Sequence, residues 1–313
     1  MNLIDTLPKP FFVLAPMYDV TDTVFRQIIA DCAPPDLFFT EFFNVDGMQS
    51  KGRDEVLKRI RFSSKEKPII AQVWGLNPDN FYKSAMELAK MGFDGIDINM
   101  GCPDKTTVKH GACCALINNR DLAKEMIVAT KKGAGGLPIS VKTRLGFNDI
   151  DLSWHEFLLK QDLDMLFIHG RTKSQMSKVP ADWQTIGEIR RLRDTISPKT
   201  LIVGNGDVLT RAQGQELADK YKLDGIMIGR GVFSDPYVFS KNSPWPSLPI
   251  QDRIDLFTRH VNLFKDTWGD TKPTQVLNKF CKIYINNFDG AKERREKLMS
   301  AKTSDELISL LTE

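Results

Sequence analysis

The sequence has no uninterrupted apolar run near the ~20 residues that a membrane-spanning helix needs, so we expect no membrane association. Its first residues also lack a charged segment followed by an apolar one, and we expect no secretory leader. Cysteine is scarce: there are five, and none forms a CxxC pair. This argues against a disulfide framework or a structural zinc site, and it predicts reduced thiols, a cytoplasmic protein and no bound metal.

The chain also lacks a strong excess of charge. It has 43 Lys and Arg against 40 Asp and Glu, a net charge of +3 over 313 residues. That balance is compatible with a polyanionic partner but does not by itself indicate one. Hydrophobic residues make up 42% and charged residues 27%, which is typical of a soluble globular protein. The length allows one α/β domain of the ~250-residue barrel size and a smaller unit.

Short apolar runs of strand length recur, each followed by a polar loop and then a stretch of helical periodicity. Nearly continuous apolar strands are typical of parallel sheets that helices cover on the outside. Eight such units favour a closed (β/α)8 TIM barrel, in the α/β class, over an open doubly wound sheet. The predicted strands are Phe11–Ala15, Leu37–Glu41, Ile69–Trp74, Gly95–Asn99, Pro138–Lys142, Met165–His169, Leu201–Gly204 and Gly225–Gly229. The helices predicted between them include Asp22–Asp31, Asp79–Met91, Asp121–Lys132, Trp183–Arg193 and Arg211–Tyr221.

The chain changes character at KNSPWPSLP, where Pro244, Pro246 and Pro249 indicate a linker. From Ile250 to Glu313 the pattern is helical throughout. We therefore predict a barrel domain at residues 1–243 and a small all-helical domain at residues 244–313. The helical part from Ile250 onward holds eleven Lys and Arg against ten Asp and Glu, so its basic side chains can serve binding only if they cluster on one face.

Two glycine-rich turns follow the last two predicted strands, VGNGD and IGRGVF. In a TIM barrel the active site lies at the C-terminal ends of the strands, and the loops after strands seven and eight commonly bind phosphate. Glycines there let backbone N–H groups approach a ligand closely, and a helix is expected soon after Arg230. The pattern predicts a phosphate site without identifying the phosphate.

Polar side chains close other predicted strands. Lys142 ends the fifth, where an ammonium group is costly to desolvate unless it meets an anion or a polar ring. His169 ends the sixth, although a lone histidine is as often a satisfied core residue. With Gln72 and Asn99 they are donors suited to the polar edge of a flavin, since positive charge near that edge stabilises the anionic reduced form.

Cys102 follows the fourth predicted strand in a Gly-Cys-Pro turn. A buried cysteine usually behaves as a small hydrophobe. A thiol on this loop faces the catalytic end of the barrel, and with an ordinary pKa of about 8.5 it can release a proton as an acid. We interpret Cys113 and Cys114, which run into apolar sequence, as packing residues. A nucleophilic pair of Cys102 with His110 or His169 is the competing role, but it leaves the glycine turns without a purpose.

Six motifs in order resemble the tRNA-dihydrouridine synthases: APMYDVTD (Ala15–Asp22), NMGCPDK (Asn99–Lys105), SVKTRLG (Ser140–Gly146), HGRT (His169–Thr172), GNGD (Gly204–Asp207) and IGRG (Ile228–Gly231). The resemblance implies an FMN-dependent enzyme that uses NADPH to reduce specific uridines in tRNA to 5,6-dihydrouridine. In that family the flavin gives a hydride to C6, and the cysteine corresponding to Cys102 gives a proton to C5. The helical domain would hold the tRNA, and the protein is expected to be a monomer.

The resemblance also implies the site residues. Flavin contacts fall on Pro16, Met17, Gln72, Lys142, His169, Asn205, Gly206, Asp207, Gly229 and Arg230. Substrate contacts fall on Glu41, Asn99 and Arg144. The chain departs from the family pattern in two places, because Asp19 replaces a usual glycine and the cysteines of GACCALI replace small residues.

Three alternatives stay open at this point. Another FMN-dependent TIM-barrel oxidoreductase, such as a dihydroorotate dehydrogenase-like enzyme, would share the flavin and an acid/base residue but has no place for the helical domain. A dihydrouridine synthase could act on ribosomal RNA. An RNA-binding protein that lost catalysis would not need Cys102, Lys142 and His169 together.

Overall fold

Parallel strands surround an apolar interior in the computed structural model, which describes residues 3–313. The strands are β1 Phe11–Leu14, β2 Phe38–Phe39, β3 Phe43–Asn44, β4 Ile69–Trp74, β5 Gly95–Met100, β6 Ile139–Arg144, β7 Met165–His169, β8 Leu201–Asn205 and β9 Gly225–Ile228. They follow the order β1-β9-β8-β7-β6-β5-β4-β2, with β3 also paired to β4. A parallel bridge between Val13 and Leu37 joins β1 to the start of β2 and closes the circle. The predicted (β/α)8 TIM barrel is confirmed.

The helices lie outside the barrel or after it. They are α1 Leu3–Thr6, α2 Thr23–Cys32, α3 Val45–Met48, α4 Arg53–Arg59, α5 Pro78–Lys90, α6 Lys105–Lys109, α7 Arg120–Gly133, α8 Leu152–Leu159, α9 Trp183–Ile196, α10 Arg211–Tyr221, α11 Gly231–Ser234, α12 Ile250–Trp268, α13 Asn278–Tyr284, α14 Ala291–Met299 and α15 Ser304–Thr312. Single turns of 3₁₀ helix occur at Ser64–Glu66, Trp245–Ser247, Gly269–Thr271 and Thr274–Leu277, and a longer one at Cys113–Asn118.

Side-chain caps explain where the barrel helices begin. Asp22, Asn77 and Asp182 each accept a backbone N–H from the first turn of the helix that follows. Such caps satisfy donors that have no partner within the helix. The five predicted barrel helices are confirmed to within a few residues, and α9 runs three residues past its predicted end at Arg193.

The second predicted strand, Leu37–Glu41, is shorter than expected. Only Phe38 and Phe39 pair with β4, and the chain pairs with β4 again at β3. The hydroxyl of Thr40 accepts the backbone N–H of Gln72 at 3.1 Å, where a continuing strand would offer a carbonyl. A side-chain acceptor therefore interrupts the ladder and releases Glu41 from the strand.

The barrel interior is apolar along most of its wall, with Val13, Phe39 and Phe167 among its fully buried residues. Phe39 and Phe167 meet edge to face across it, with ring centroids 5.1 Å apart. A second, larger cluster fills the layer between strands and outer helices. This double layer is the usual packing of a TIM barrel and leaves the strand ends free to carry a site.

The helices α12 and α13 pack against α2 and the loop before it, and α14 and α15 pack on α12 and α13. The Trp268 indole donates to Asp22 at 3.0 Å, the Lys272 ammonium contacts the same carboxylate at 2.9 Å, and Phe280 stacks on Phe25 with centroids 5.0 Å apart. The helical segment is therefore anchored beside the loop between β1 and α2, which we call the first strand-end loop. Within residues 3–313, no helix has the length and apolar character needed to cross a membrane.

Candidate active site

A cavity of about 520 Å³ opens where the barrel strands end. The loop after β1 and the ends of β6, β7, β8 and β9 contribute its walls. Ten of the site residues expected from the sequence line it: Pro16, Met17, Lys142, Arg144, His169, Asn205, Gly206, Asp207, Gly229 and Arg230. Four others, Glu41, Gln72, Asn99 and Cys102, lie outside its lining.

The glycine turns form one end of the cavity. Gly206 has φ +139, and a Cβ atom built there would lie 2.6 Å from the Cβ of Ala181. Asp207 forms ion pairs with Arg171 and Arg230, the second at 3.0 Å. Buried Arg171 therefore holds Asp207 from behind, while the exposed guanidinium of Arg230 lies in the cavity wall beside a glycine that cannot carry a side chain. This is an arrangement suited to an anion such as phosphate, and the expected helix after Arg230 is present as α11.

Lys142 and His169 present polar groups without protein partners. The Lys142 ammonium has no hydrogen bond to any residue from 3 to 313, and burial lowers its pKa to about 8, with Arg144 adding to the effect. Burial, with Lys142 next, lowers the pKa of His169 to about 2, so its ring is neutral. Arg171 approaches His169 Nε2 at 3.3 Å, which places the ring proton on Nδ1. That Nδ1 atom is buried and lacks a partner within the described residues.

Gln72 and Asn99 bind each other beside the cavity. Asn99 Nδ2 donates to Gln72 Oε1 at 3.1 Å. Asn99 Oδ1 accepts the backbone N–H groups of Gly101 at 3.1 Å and Cys102 at 2.9 Å. These two amides therefore fix the backbone of the Gly-Cys-Pro turn, in addition to any contact with a ligand.

Arg144 connects the Cys102 turn to the cavity wall. Its Nε donates to the carbonyl of Gly101 at 2.8 Å, and its Nη1 donates to the carbonyls of Thr172 and Met176. The side chain is 8% exposed and lines the cavity. It holds the Cys102 turn and the loop after β7 together at the cavity edge.

Cys113 is buried, in agreement with its interpretation as a packing residue, and it also contacts Cys102. Its thiol lies beside the Cys102 thiol, and this contact is the main cause that lowers the pKa of Cys102 below its ordinary value, against the opposing effect of burial. The backbone N–H of Cys114 also donates to the Cys102 carbonyl at 3.3 Å. Cys113 has φ +55, a conformation that glycine adopts freely. Cys114 is fully buried, as interpreted.

The first strand-end loop is tied to both parts of the chain. Asp19 has φ +57, which explains why glycine is usual here, and its backbone N–H donates to Glu41 Oε1 at 2.6 Å. Arg59 contacts the Asp19 carboxylate at 2.9 Å, and the Lys279 ammonium donates to the Asp19 carbonyl at 2.6 Å. Burial raises the pKa of Glu41, whose Oε2 atom is buried and lacks a partner in residues 3–313.

Sequence reasoning gives no role to three charged residues that contact site residues: Arg171 beside Asp207, Arg59 beside Asp19, and Asp97 beside Gln72. Arg171 could have been found, because it lies two residues after His169 in HGRT. Asp97 lies in the middle of a predicted strand, and Arg59 lies in a surface helix, so neither position carries a signal. No three His, Cys, Asp or Glu side chains among residues 3–313 are grouped so as to hold a metal ion.

Comparison with known proteins gives a consistent result. The family described as "Dihydrouridine synthase (Dus)" matches residues 13–313. The "Probable tRNA-dihydrouridine synthase 2" of Bacillus subtilis is 46% identical over 315 residues, which cover 99% of this chain and 95% of that protein. A "Probable tRNA-dihydrouridine synthase" of Staphylococcus aureus is 45% identical over 316 residues, covering 100% of this chain and 95% of that protein.

Solved structures match at lower identity. Morphinone reductase in complex with tetrahydroNAD is 13% identical with a TM-score of 0.52, over 78% of this chain and 91% of that chain. The old yellow enzyme homologue from Zymomonas mobilis (NCR) is 16% identical with a TM-score of 0.50, over 75% of this chain and 90% of that chain. At these identities the likeness supports the barrel fold alone.

Proposed function

Because this chain belongs to the dihydrouridine synthase family, an oxidoreductase family, we propose that it reduces uridines in tRNA to 5,6-dihydrouridine, with FMN as cofactor and NADPH as reductant. One observation carries the proposal. One cavity at the strand ends has an anion cradle at the Gly206 turn and the Lys142 ammonium, which forms no hydrogen bond with residues 3–313, and Arg144 joins its wall to the Cys102 turn.

The residues present fit FMN. The anion cradle, which consists of the Gly206 turn and the exposed guanidinium of Arg230, suits a phosphate. The Lys142 ammonium and the His169 Nδ1–H are donors that no described protein group uses, and they suit the polar edge of the flavin ring. FMN held by these residues would supply the hydride that C6 of the uracil receives, with NADPH as the source of its electrons.

We propose that Cys102 gives the proton that C5 receives. Adding a hydride to one carbon of the ring leaves negative charge that must be neutralised as it forms, so an acid has to be held on the opposite face. The Cys102 turn is fixed by Asn99 and Arg144, which also suit the oxygen and nitrogen atoms of uracil. The uridine must first leave its stacked position in the RNA, at a cost of a few kcal/mol.

Incubation of the purified, FMN-loaded protein with NADPH and unmodified tRNA tests this function. We expect dihydrouridine in the tRNA, detected by mass spectrometry of its nucleosides, and oxidation of NADPH coupled to it. Parallel reactions with ribosomal RNA and with NADH determine the RNA class and the preferred reductant. A protein that cannot be loaded with any flavin would contradict the proposal at its first step.

Replacing Cys113 with glycine is expected to move the pH dependence of uridine reduction upward. An acid acts only while protonated, so the lowered pKa of Cys102 should make the single-turnover rate fall as pH rises through that pKa, earlier than for an ordinary thiol. Glycine fits φ +55 and removes the thiol that lowers this pKa. The pH range over which the single-turnover rate falls should therefore shift upward by on the order of one unit.

The matched control for this variant is Cys114→Ala, which changes the neighbouring buried cysteine. Rates of Cys102 alkylation measured across the same pH range report the thiol directly. An unchanged pH profile in Cys113→Gly, together with unchanged alkylation, would mean that Cys113 does not act on Cys102.

We propose that the helical segment, residues 244–313, holds the tRNA next to the cavity. Lys279 is exposed, and its contact with Asp19 places it at the loop that carries Met17. Backbone phosphates supply much of the affinity of RNA-binding proteins and make it depend on salt. A lysine at this edge is therefore suited to a phosphate near the flipped uridine.

Lys279→Glu is expected to weaken tRNA binding several-fold and to reduce the slope of log affinity against log salt by about 1. Lys199→Glu is the matched control, because Lys199 is also exposed but precedes β8 at the opposite end of the barrel. Fluorescence anisotropy with labelled tRNA at several salt concentrations measures both. If the two variants bind alike, Lys279 does not contact the RNA.

A further inference from the structure

Three polar side chains share one layer inside the otherwise apolar barrel. Asp97 on β5 pairs in register with Gln72 on β4 and with Ser140 on β6, so the three lie side by side. Each of the three is fully buried. Burying a carboxyl group costs free energy unless its oxygens are hydrogen-bonded, so this polar layer needs an explanation.

The carboxyl group of Asp97 has a donor for each oxygen. Ser140 Oγ donates to Oδ1 at 2.6 Å, and Gln72 Nε2 donates to Oδ2 at 2.7 Å. Lys142, two residues after Ser140, is close enough to lower the pKa of the carboxyl against the stronger effect of burial, which raises it to about 7. The site described above uses Gln72 and Lys142, while nothing in it uses Asp97.

Asp97 determines which way the next two amides face. Oδ2 of Asp97 accepts from Gln72 Nε2, so the NH₂ group of Gln72 faces the carboxyl group. The carbonyl of Gln72 then faces away and accepts from Asn99 Nδ2. The carbonyl of Asn99 is left to accept the backbone N–H groups of Gly101 and Cys102. Turning Asn99 around would bring its NH₂ group against those two donors.

We propose that Asp97 is a positioning residue, which acts through Gln72 and Asn99 to hold the backbone of the Gly101–Cys102 turn in place. The chain of bonds runs from the middle of the barrel to the turn that carries the thiol, and every side chain in it is buried. The structural part of this proposal stands on the contacts alone. Its effect on the reaction rests on the proposed function.

Three variants test the contribution of Asp97 to this series of hydrogen bonds. Asp97→Leu removes both acceptors, so Gln72 loses the group that orients it. Asp97→Asn keeps one acceptor for Gln72, and its NH₂ group can donate to the hydroxyl of Ser140, so the chain is preserved. Ser140→Ala is the matched control, because Ser140 contacts Asp97 on the side away from Gln72. If the leucine variant does not fold, Asp97→Ser replaces it, since a serine side chain is too short to reach Gln72.

Hydrogen exchange at the Gly101 and Cys102 amides, followed by mass spectrometry on the FMN-loaded protein, is the direct measurement. Exchange should be at least tenfold faster in Asp97→Leu and near wild type in Asp97→Asn and Ser140→Ala. Displacement of a reacting group by about 1 Å can cost about 10²-fold in rate, so uridine reduction should fall on that order in the leucine variant and recover in the asparagine variant.

Wild-type exchange at both amides in a folded Asp97→Leu or Asp97→Ser protein would overturn the proposal. So would equal exchange in the leucine and asparagine variants, because the conservative change must rescue a positioning role. Failure of the proposed function is distinguishable: wild-type protein would then form no dihydrouridine, while the exchange differences between the variants would remain.

Discussion

Cys102→Ala is expected to slow uridine reduction by about 10²–10⁴-fold, the range that a general acid contributes, while FMN binding and NADPH oxidation stay near wild type. The reason for this division is structural. Cys102 lies on the turn after β5, and the cavity that suits the flavin is lined by other residues. Removing the thiol takes away the proton for C5 without removing any group of the anion cradle or the Lys142 ammonium.

Single-turnover reactions separate the two halves of this prediction. Bleaching of the flavin absorbance by NADPH, without RNA, measures the first, and dihydrouridine formed after adding tRNA measures the second. Cys32→Ala is the control, because Cys32 is half-buried and burial raises the pKa of its thiol to about 12, so it is a poor acid at neutral pH. Normal dihydrouridine formation in Cys102→Ala would remove the thiol from the mechanism.

The strands and the cavity wall could be predicted from the sequence because each rests on a local pattern. Apolar runs predicted the strands, and in a barrel the residues that end such runs share one rim. The sequence therefore predicts Lys142, His169 and Asn205 at one rim, and all three line the same cavity. The helical pattern predicted from Ile250 onward begins at the first residue of α12, because its apolar period starts just after a proline-rich linker.

Other features depend on contacts between distant parts of the chain. Lys279 reaches Asp19 across 260 positions of sequence, and no local pattern carries that information. The backbone of Cys113 adopts φ +55, and its thiol lies beside Cys102. This left-handed conformation is common for glycine and rare for cysteine, so the sequence does not predict it. The role of Asp97 is not evident from the sequence for a different reason. The alternation of apolar and polar residues in GIDINM shows only that Asp97 faces the barrel interior.

Lys142→Met is expected to slow the reduction of FMN by NADPH by about 10²–10³-fold, as for loss of one preorganised charge at a reacting group. Methionine has a similar length and keeps the packing of the β6 end, but it cannot offset negative charge on the flavin ring. Dihydrouridine formation should fall with it, because both depend on the same flavin. FMN affinity should weaken as well, and titration of flavin fluorescence measures that part without turnover.

The pH dependence gives this variant a signature that packing damage would not produce. The pKa of Lys142 is lowered to about 8, so its ammonium loses its proton as pH rises through that value. NADPH oxidation by the wild-type protein should therefore fall above about pH 8, and this limb should be absent in Lys142→Met. Lys199→Met, an exposed change at the other end of the barrel, is the control. If the limb persists in Lys142→Met, another group controls it, and the Lys142 charge does not serve the flavin.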